Sequence, residues 1–162
     1  MTPNRYENLK IAFDTCVINC LVDNDFLEPI NEIISFKDKG VKIFVQYSIV
    51  REIEATDDLG RKNLLLGKLK DFEIAKEHLS ILPFHLPAKL CTENDSKIYE
   101  ELAKAIDGDK KDARVILDSM RSTGADVFVT VDKGIIKHKN TLKELGFIAM
   151  TPEECLNYLR AC

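Results

Sequence analysis

The sequence predicts an α/β protein: three layers, α/β/α, around a central and mostly parallel sheet. Three observations predict it. Short β-branched and aromatic runs alternate along the chain with amphipathic helical stretches. The runs are near-continuously apolar, as strands buried on both faces are. Two of them, IAF and VFVTV, end in an aspartate, Asp14 and Asp132.

Each element has its own signal. Residues 10–13 read as a buried strand, and Val17, Ile18, Leu21 and Val22 follow at helical spacing. Asn24 or Asp25 is positioned to cap a helix over 26–37, which Gly40 ends. Residues 41–45 form a second strand, and Ser48 opens the helical stretch SIVREIEA. Residues 59–78 read as one long helix with Leu64, Leu65, Leu69, Phe72 and Ile74 as its apolar stripe, although Gly67 weakens it. A Pro-punctuated weak strand and loop follow over 79–87. Helices are expected over 93–106 and 109–123, ended near Gly108 and at Gly124. Residues 126–132 are the clearest strand. A helical turn over 141–145 and a strand over 147–150 lead to the last helix. Its start, Thr151-Pro152-Glu153-Glu154, carries an N-cap Thr, Pro at the first position and Glu at the third.

With 162 residues, residues 1–162 read as a single domain, with 59–90 as a helical insertion. The net charge of −4 argues against a globally basic nucleic-acid binder, so any such contact needs a local basic patch or metal ions. The five cysteines, Cys16, Cys20, Cys91, Cys155 and Cys162, are odd in number and lack CxxC spacing. They read as free thiols in a reducing cytosol, not as a disulfide framework or zinc site. No apolar run reaches a membrane span and no signal core follows the start, so a cytoplasmic protein with no membrane partner is expected.

Parallel α/β sheets present functional groups at the carboxyl ends of their strands. Asp14 and Asp132 stand there, Glu52 one helical turn past the second strand, and Asp112 at the opening of a helix. Each has an ordinary explanation: Asp14 as a helix cap, Asp132 as a turn residue, Glu52 on a solvated face, Asp112 favoured by the helix dipole. Together they would crowd like charge at one edge, a conflict that divalent cations resolve. Oxygen ligands suit Mg²⁺ or Mn²⁺, and paired metals activate water against a phosphodiester.

The ordered set resembles the PIN domain, a Mg²⁺/Mn²⁺-dependent ribonuclease fold. Four blocks carry the resemblance: IAFDTCVI, VQYSIVREIEA, DARVILDSM and GADVFVTVDKGI, their acids 38, 60 and 20 residues apart. The resemblance implies Asp14, Glu52, Asp112 and Asp132 as metal ligands and catalytic acids, with Thr15 and Thr130 as supporting hydroxyls. Glu54 is the register alternative to Glu52, and Asp109 and Asp118 compete with Asp112. It implies hydrolysis of RNA by metal-activated water. Lys133, Lys137, His138 and Lys139, beside Lys143, form a basic cluster that would hold RNA backbone or be an ordinary solvated turn. His78, His85 and His138 show no paired spacing for catalysis. Small solitary members resemble VapC-type toxins, which implies a small antitoxin partner; an RNA-processing nuclease is the other branch. A homodimer is implied by resemblance alone.

Other readings compete. A catalytically silent PIN-fold module that binds RNA or protein would keep the same sheet. An Asp-dependent phosphotransfer domain would use Asp14, but Cys16 stands where one such class needs a second Asp. A phosphate-binding P-loop fails, because Lys62 occupies the glycine position ahead of Gly67-Lys68.

Overall fold

The computed structural model describes residues 5–75 and 93–162. The strands of these residues are β1 (Lys10–Phe13), β2 (Lys42–Gln46), β3 (Glu73–Ala75), β4 (Val127–Val129) and β5 (Ala149–Met150). They form one sheet in the order β3-β2-β1-β4-β5, and every pairing is parallel. Ile11 is in register with Ile43 on one side and Val127 on the other. The chain runs outward from β1 through β2 to β3, then returns to the far side of β1 for β4 and β5. The order therefore reverses between β1 and β4, and that crevice is where ligands bind in open parallel sheets.

The helices are α1 (Thr15–Asp23), α2 (Leu27–Ser35), α3 (Tyr47–Glu54), α4 (Leu59–Leu69), α5 (Glu93–Ala105), α6 (Lys110–Thr123), α7 (Lys133–Ile136), α8 (Lys139–Glu144) and α9 (Pro152–Ala161). Strand alternation distributes them into two layers. Ile11 and Phe13 of β1, with Val127 and Val129 of β4, pack into one core with α1, α2, α3, α4 and α9. Ala12 and Phe128 point the other way, into a second core with α5, α6, α7 and α8. The three-layer α/β/α architecture thus follows from apolar residues on both faces of each central strand. The rings of Phe13 and Phe72 lie 5.5 Å apart inside the first core. Arg160 of α9 grips Glu32 of α2 through two hydrogen bonds, of 2.8 and 2.6 Å. Among the described residues no helix is long and apolar enough to cross a membrane.

Several local expectations are corrected. The helix expected over 59–78 ends at Leu69; Glu73–Ala75 is instead the edge strand β3, paired with β2. Leu65, Leu69 and Phe72 are buried as expected, but Leu64 and Ile74 are exposed. Asn24 closes α1 in the left-handed conformation rather than opening α2, whose N-cap is Phe26. Helix α2 stops at Ser35, and a 3₁₀ turn, Phe36–Lys39, carries the chain to Gly40. Helix α6 ends at Gly124, at φ +63°, a backbone that glycine adopts without steric cost. Helix α9 has the full capping box between Thr151 and Glu154. The weak strand over 79–87, His78, His85 and Cys91 lie outside the described residues, as do 76–90 of the suggested insertion.

Candidate active site

Asp14 leaves the end of β1 directly into α1 and is that helix's N-cap. Its Oδ1 accepts from the backbone N–H of Thr15 at 2.7 Å. Its Oδ2 accepts from the hydroxyl of Thr130 at 2.7 Å and from the thiol of Cys16 at 3.1 Å. Burial pushes the Asp14 carboxyl above the usual aspartate range; these three donors pull it back, and the charge of Asp132 raises it further.

Thr130 follows β4 across the crevice and is fully buried. Its one hydroxyl donates to Asp14 and accepts from the backbone N–H of Asp132 at 3.0 Å. A single side chain thus ties Asp14, at the end of β1, to Asp132, which caps α7 three residues past β4; that strand is shorter than the expected 126–132. Asp132 caps α7, its Oδ1 accepting from the N–H of Gly134 at 2.6 Å.

Asp112 sits in the first turn of α6, its backbone N–H held by the N-cap Asp109 at 2.9 Å. Its carboxyl is pushed up to about 6, by burial first and then by the charges of Asp109, Asp132 and Asp14, with Lys111 opposing. The charges of Asp14 and Asp132 thus both act on Asp112. Asp109, a competitor of Asp112 in the sequence, is the cap ahead of it. Asp118 lies further along α6.

Glu52, on the exposed face of α3, joins through a hydroxyl: Thr15 Oγ1 donates to its Oε2 at 3.0 Å. Lys111 Nζ approaches its other oxygen at 4.0 Å. Glu54 is exposed on the same helix and makes neither contact.

The basic cluster is largely spoken for. Lys137 Nζ and His138 Nε2 both bond Asp107 Oδ2, at 2.5 and 3.0 Å, and these hydrogen bonds, that of Lys137 first, hold the Asp107 carboxyl down at about 2. Lys139 pairs with Glu154. Lys133 is exposed, and among the described residues no ion pair engages it. A cleft of about 320 Å³ opens beside the acids, with Asp109, Asp112, Gly134 and Lys137 on its walls.

Two residues of this site were not singled out from sequence. Cys16 bonds Asp14, lies 3.2 Å from the Thr130 hydroxyl and accepts from the N–H of Val131 at 3.3 Å. Its place in the turn after a helix N-cap, where side chains reach back, was the available signal. Asp107 gave none, because its partners lie 30 and 31 residues away.

Among the described residues, no three His, Cys, Asp or Glu side chains close on a single metal position as they stand. The donor chemistry nevertheless fits a hard divalent cation. All four acids offer oxygen, and Mg²⁺ takes only one or two carboxylates, keeping water for the rest of its shell.

No family model matches this sequence, and no curated protein matches it. Among solved structures the chain is similar to VapBC2 from Rickettsia felis, determined bound to a DNA fragment from its promoter. The TM-score is 0.56 at 12% identity, covering 88% of this chain and 98% of that one. The likeness is one of fold.

Proposed function

We propose that this chain is a PIN-like, metal-dependent endoribonuclease. One observation carries the reading: at the switch point of the sheet, Asp14 and Asp112 are both raised by burial and by neighbouring carboxylate charge. Folding gathers like charges there at an electrostatic cost, and sites of that kind are enriched for function. Asp14, Asp112 and Asp132 would hold Mg²⁺ or Mn²⁺, with Glu52 completing the acid set from the far side. Such a metal supplies an activated water and neutralises the leaving oxygen. Thr130 orients Asp14 through the 2.7 Å bond, and Thr15 ties Glu52 to the helix that Asp14 caps. Lys133, exposed and outside the ion pairs of the basic cluster, would meet the RNA backbone first. Fold likeness to VapBC2 supports the VapC-type branch of the resemblance, and with it a small antitoxin partner; a homodimer rests on the resemblance alone.

The test is cleavage of a mixed single-stranded and structured RNA pool in Mg²⁺, in Mn²⁺ and in EDTA, with Asp14→Asn and Asp132→Asn beside the parent. Metal-dependent cutting that both variants lose is the expected result. Cutting by either variant at the parent rate would overturn the site.

A second reading has an observation of its own. Both oxygens of Asp14 are satisfied by internal donors, and among the described residues no three acids close on one position. A silent RNA- or protein-binding module would look this way. It predicts no Mn²⁺-dependent rise in melting temperature, whereas a working metal site binds the folded state and raises it.

A further inference from the structure

Lys137 and His138 sit at the end of α7 and aim at the same atom. Lys137 Nζ lies 2.5 Å and His138 Nε2 3.0 Å from Asp107 Oδ2. Two nitrogen donors converging on one anionic oxygen reproduce the environment of a phosphate oxygen. The oxygen that fills this place comes from the turn between α5 and α6. Asp107 stands at φ +58° and Gly108 at φ +82°, so the chain doubles back and presents the carboxylate to α7. Lys137 and Asp107 are exposed and His138 is partly so. The pairing is therefore weak and readily exchanged for another anion. Asp107 and Lys137 also line the cleft that runs to Asp112 and Gly134. An anion seated on the pair would share one cleft with an acid of the candidate active site.

We propose that Lys137 and His138 form a binding site for a phosphodiester group of single-stranded RNA, and that Asp107 occupies it as an internal competitor which the RNA displaces. The inference rests on the ribonuclease reading for its ligand and adds a residue that opposes binding. A plain structural clamp would have the opposite consequence: removing Asp107 would loosen the turn and weaken binding.

The test is the affinity of the full chain for a short fluorescein-labelled single-stranded RNA, followed by anisotropy in EDTA so that no cutting intervenes. Asp107→Asn keeps a residue type that tolerates φ above zero, so the turn is preserved. It should bind about two- to fivefold more tightly than the parent, the range set by an exposed ion pair. Asp38→Asn removes one negative charge from the exposed 3₁₀ turn ahead of β2, on the other side of β1 from β4, and should leave affinity unchanged. In a Lys137→Gln background the gain from Asp107→Asn should shrink, because the two residues act on one another. Equal or weaker binding by Asp107→Asn, an equal gain from Asp38→Asn, or no RNA binding by any form would each overturn the proposal. A parent that binds RNA but never cleaves it defeats the nuclease reading alone, so the two fail separately.

Discussion

The hydroxyl of Thr130 donates to Asp14 across the β1–β4 crevice at 2.7 Å while accepting from the N–H of Asp132 at 3.0 Å. Thr130 has no exposed surface, so water cannot replace either bond. Thr130→Val keeps the shape and removes both. It should cost about 1–3 kcal/mol of stability, the penalty for leaving buried polar partners unmet. It should also weaken Mn²⁺ binding by about 10- to 100-fold, as loss of a group that orients a metal ligand does. Thr130→Ser, which keeps the hydroxyl, should recover most of the affinity. Titration calorimetry with Mn²⁺, beside thermal melts, separates the two effects.

Asp112 gives the fold a pH dependence of unusual sign for an acid. Its folded carboxyl titrates at about 6, above the ordinary value of about 3.9 in an unfolded chain. The folded state therefore holds the proton more tightly. Stability from this group is fully present below about pH 4 and is lost as pH rises through about 6. Asp14 is raised in the same direction. Asp112→Asn, melted in EDTA, should exceed the parent in melting temperature at pH 7 and lose that advantage near pH 4. Saturating Mn²⁺ at pH 7 should shrink or reverse the difference, because only the parent keeps this acid for the metal. A variant no more stable than the parent at pH 7 would remove the electrostatic cost from the account.

Cys16 shares the site without being a nucleophile. Burial, and then the charge of Asp14, push its thiol up to about 12, so it stays protonated and acts as a donor. Iodoacetamide at pH 8 followed by peptide mapping should label the half-buried Cys162 well before Cys16. Denaturant should abolish the difference. Fast labelling of Cys16 in the native protein would mean that the Asp14–Cys16 contact does not persist in solution.

What was legible in sequence is what short-range chemistry fixes. Ile11 and Phe13 alternate with Ala12, and Val127 and Val129 with Phe128, so a strand with two apolar faces was evident. Thr151 and Glu154 make a cap from residues three apart. Asp14 and Asp132 can be singled out because the apolar run before each is visible in its own composition. Strand β3 was missed because Leu65, Leu69 and Phe72 keep helical spacing beyond Leu69, the last residue of α4. Its three residues become a strand by pairing with Phe44, Val45 and Gln46, which no local signal announces. Asn24 suits both an N-cap and a left-handed C-cap, and the structure gives it to the end of α1. In the site, the four acids were named in order, but the Thr15–Glu52 and Thr130–Asp14 bonds join residues 37 and 116 positions apart. Only the packed sheet makes those contacts.

Gly134 offers the cleanest separation of fold from site. A Cβ built there would stand 2.9 Å from Asp132 Oδ1 and meet no other atom within 4 Å but the carboxyl carbon of the same side chain. Gly134 lies in α7, and its φ is not positive. Alanine therefore suits the backbone and gains about 0.5–1 kcal/mol of helix preference. The crowding falls on the far end of Asp132, which must swing off its 2.6 Å bond to the N–H of residue 134. Gly134→Ala should thus melt no lower than about the parent temperature, yet bind Mn²⁺ about tenfold more weakly, as a displaced ligand would. RNA cutting should fall in parallel. If the variant instead keeps both Mn²⁺ affinity and cutting, Asp132 is only a helix cap, and the metal must rest on Asp14, Asp112 and Glu52.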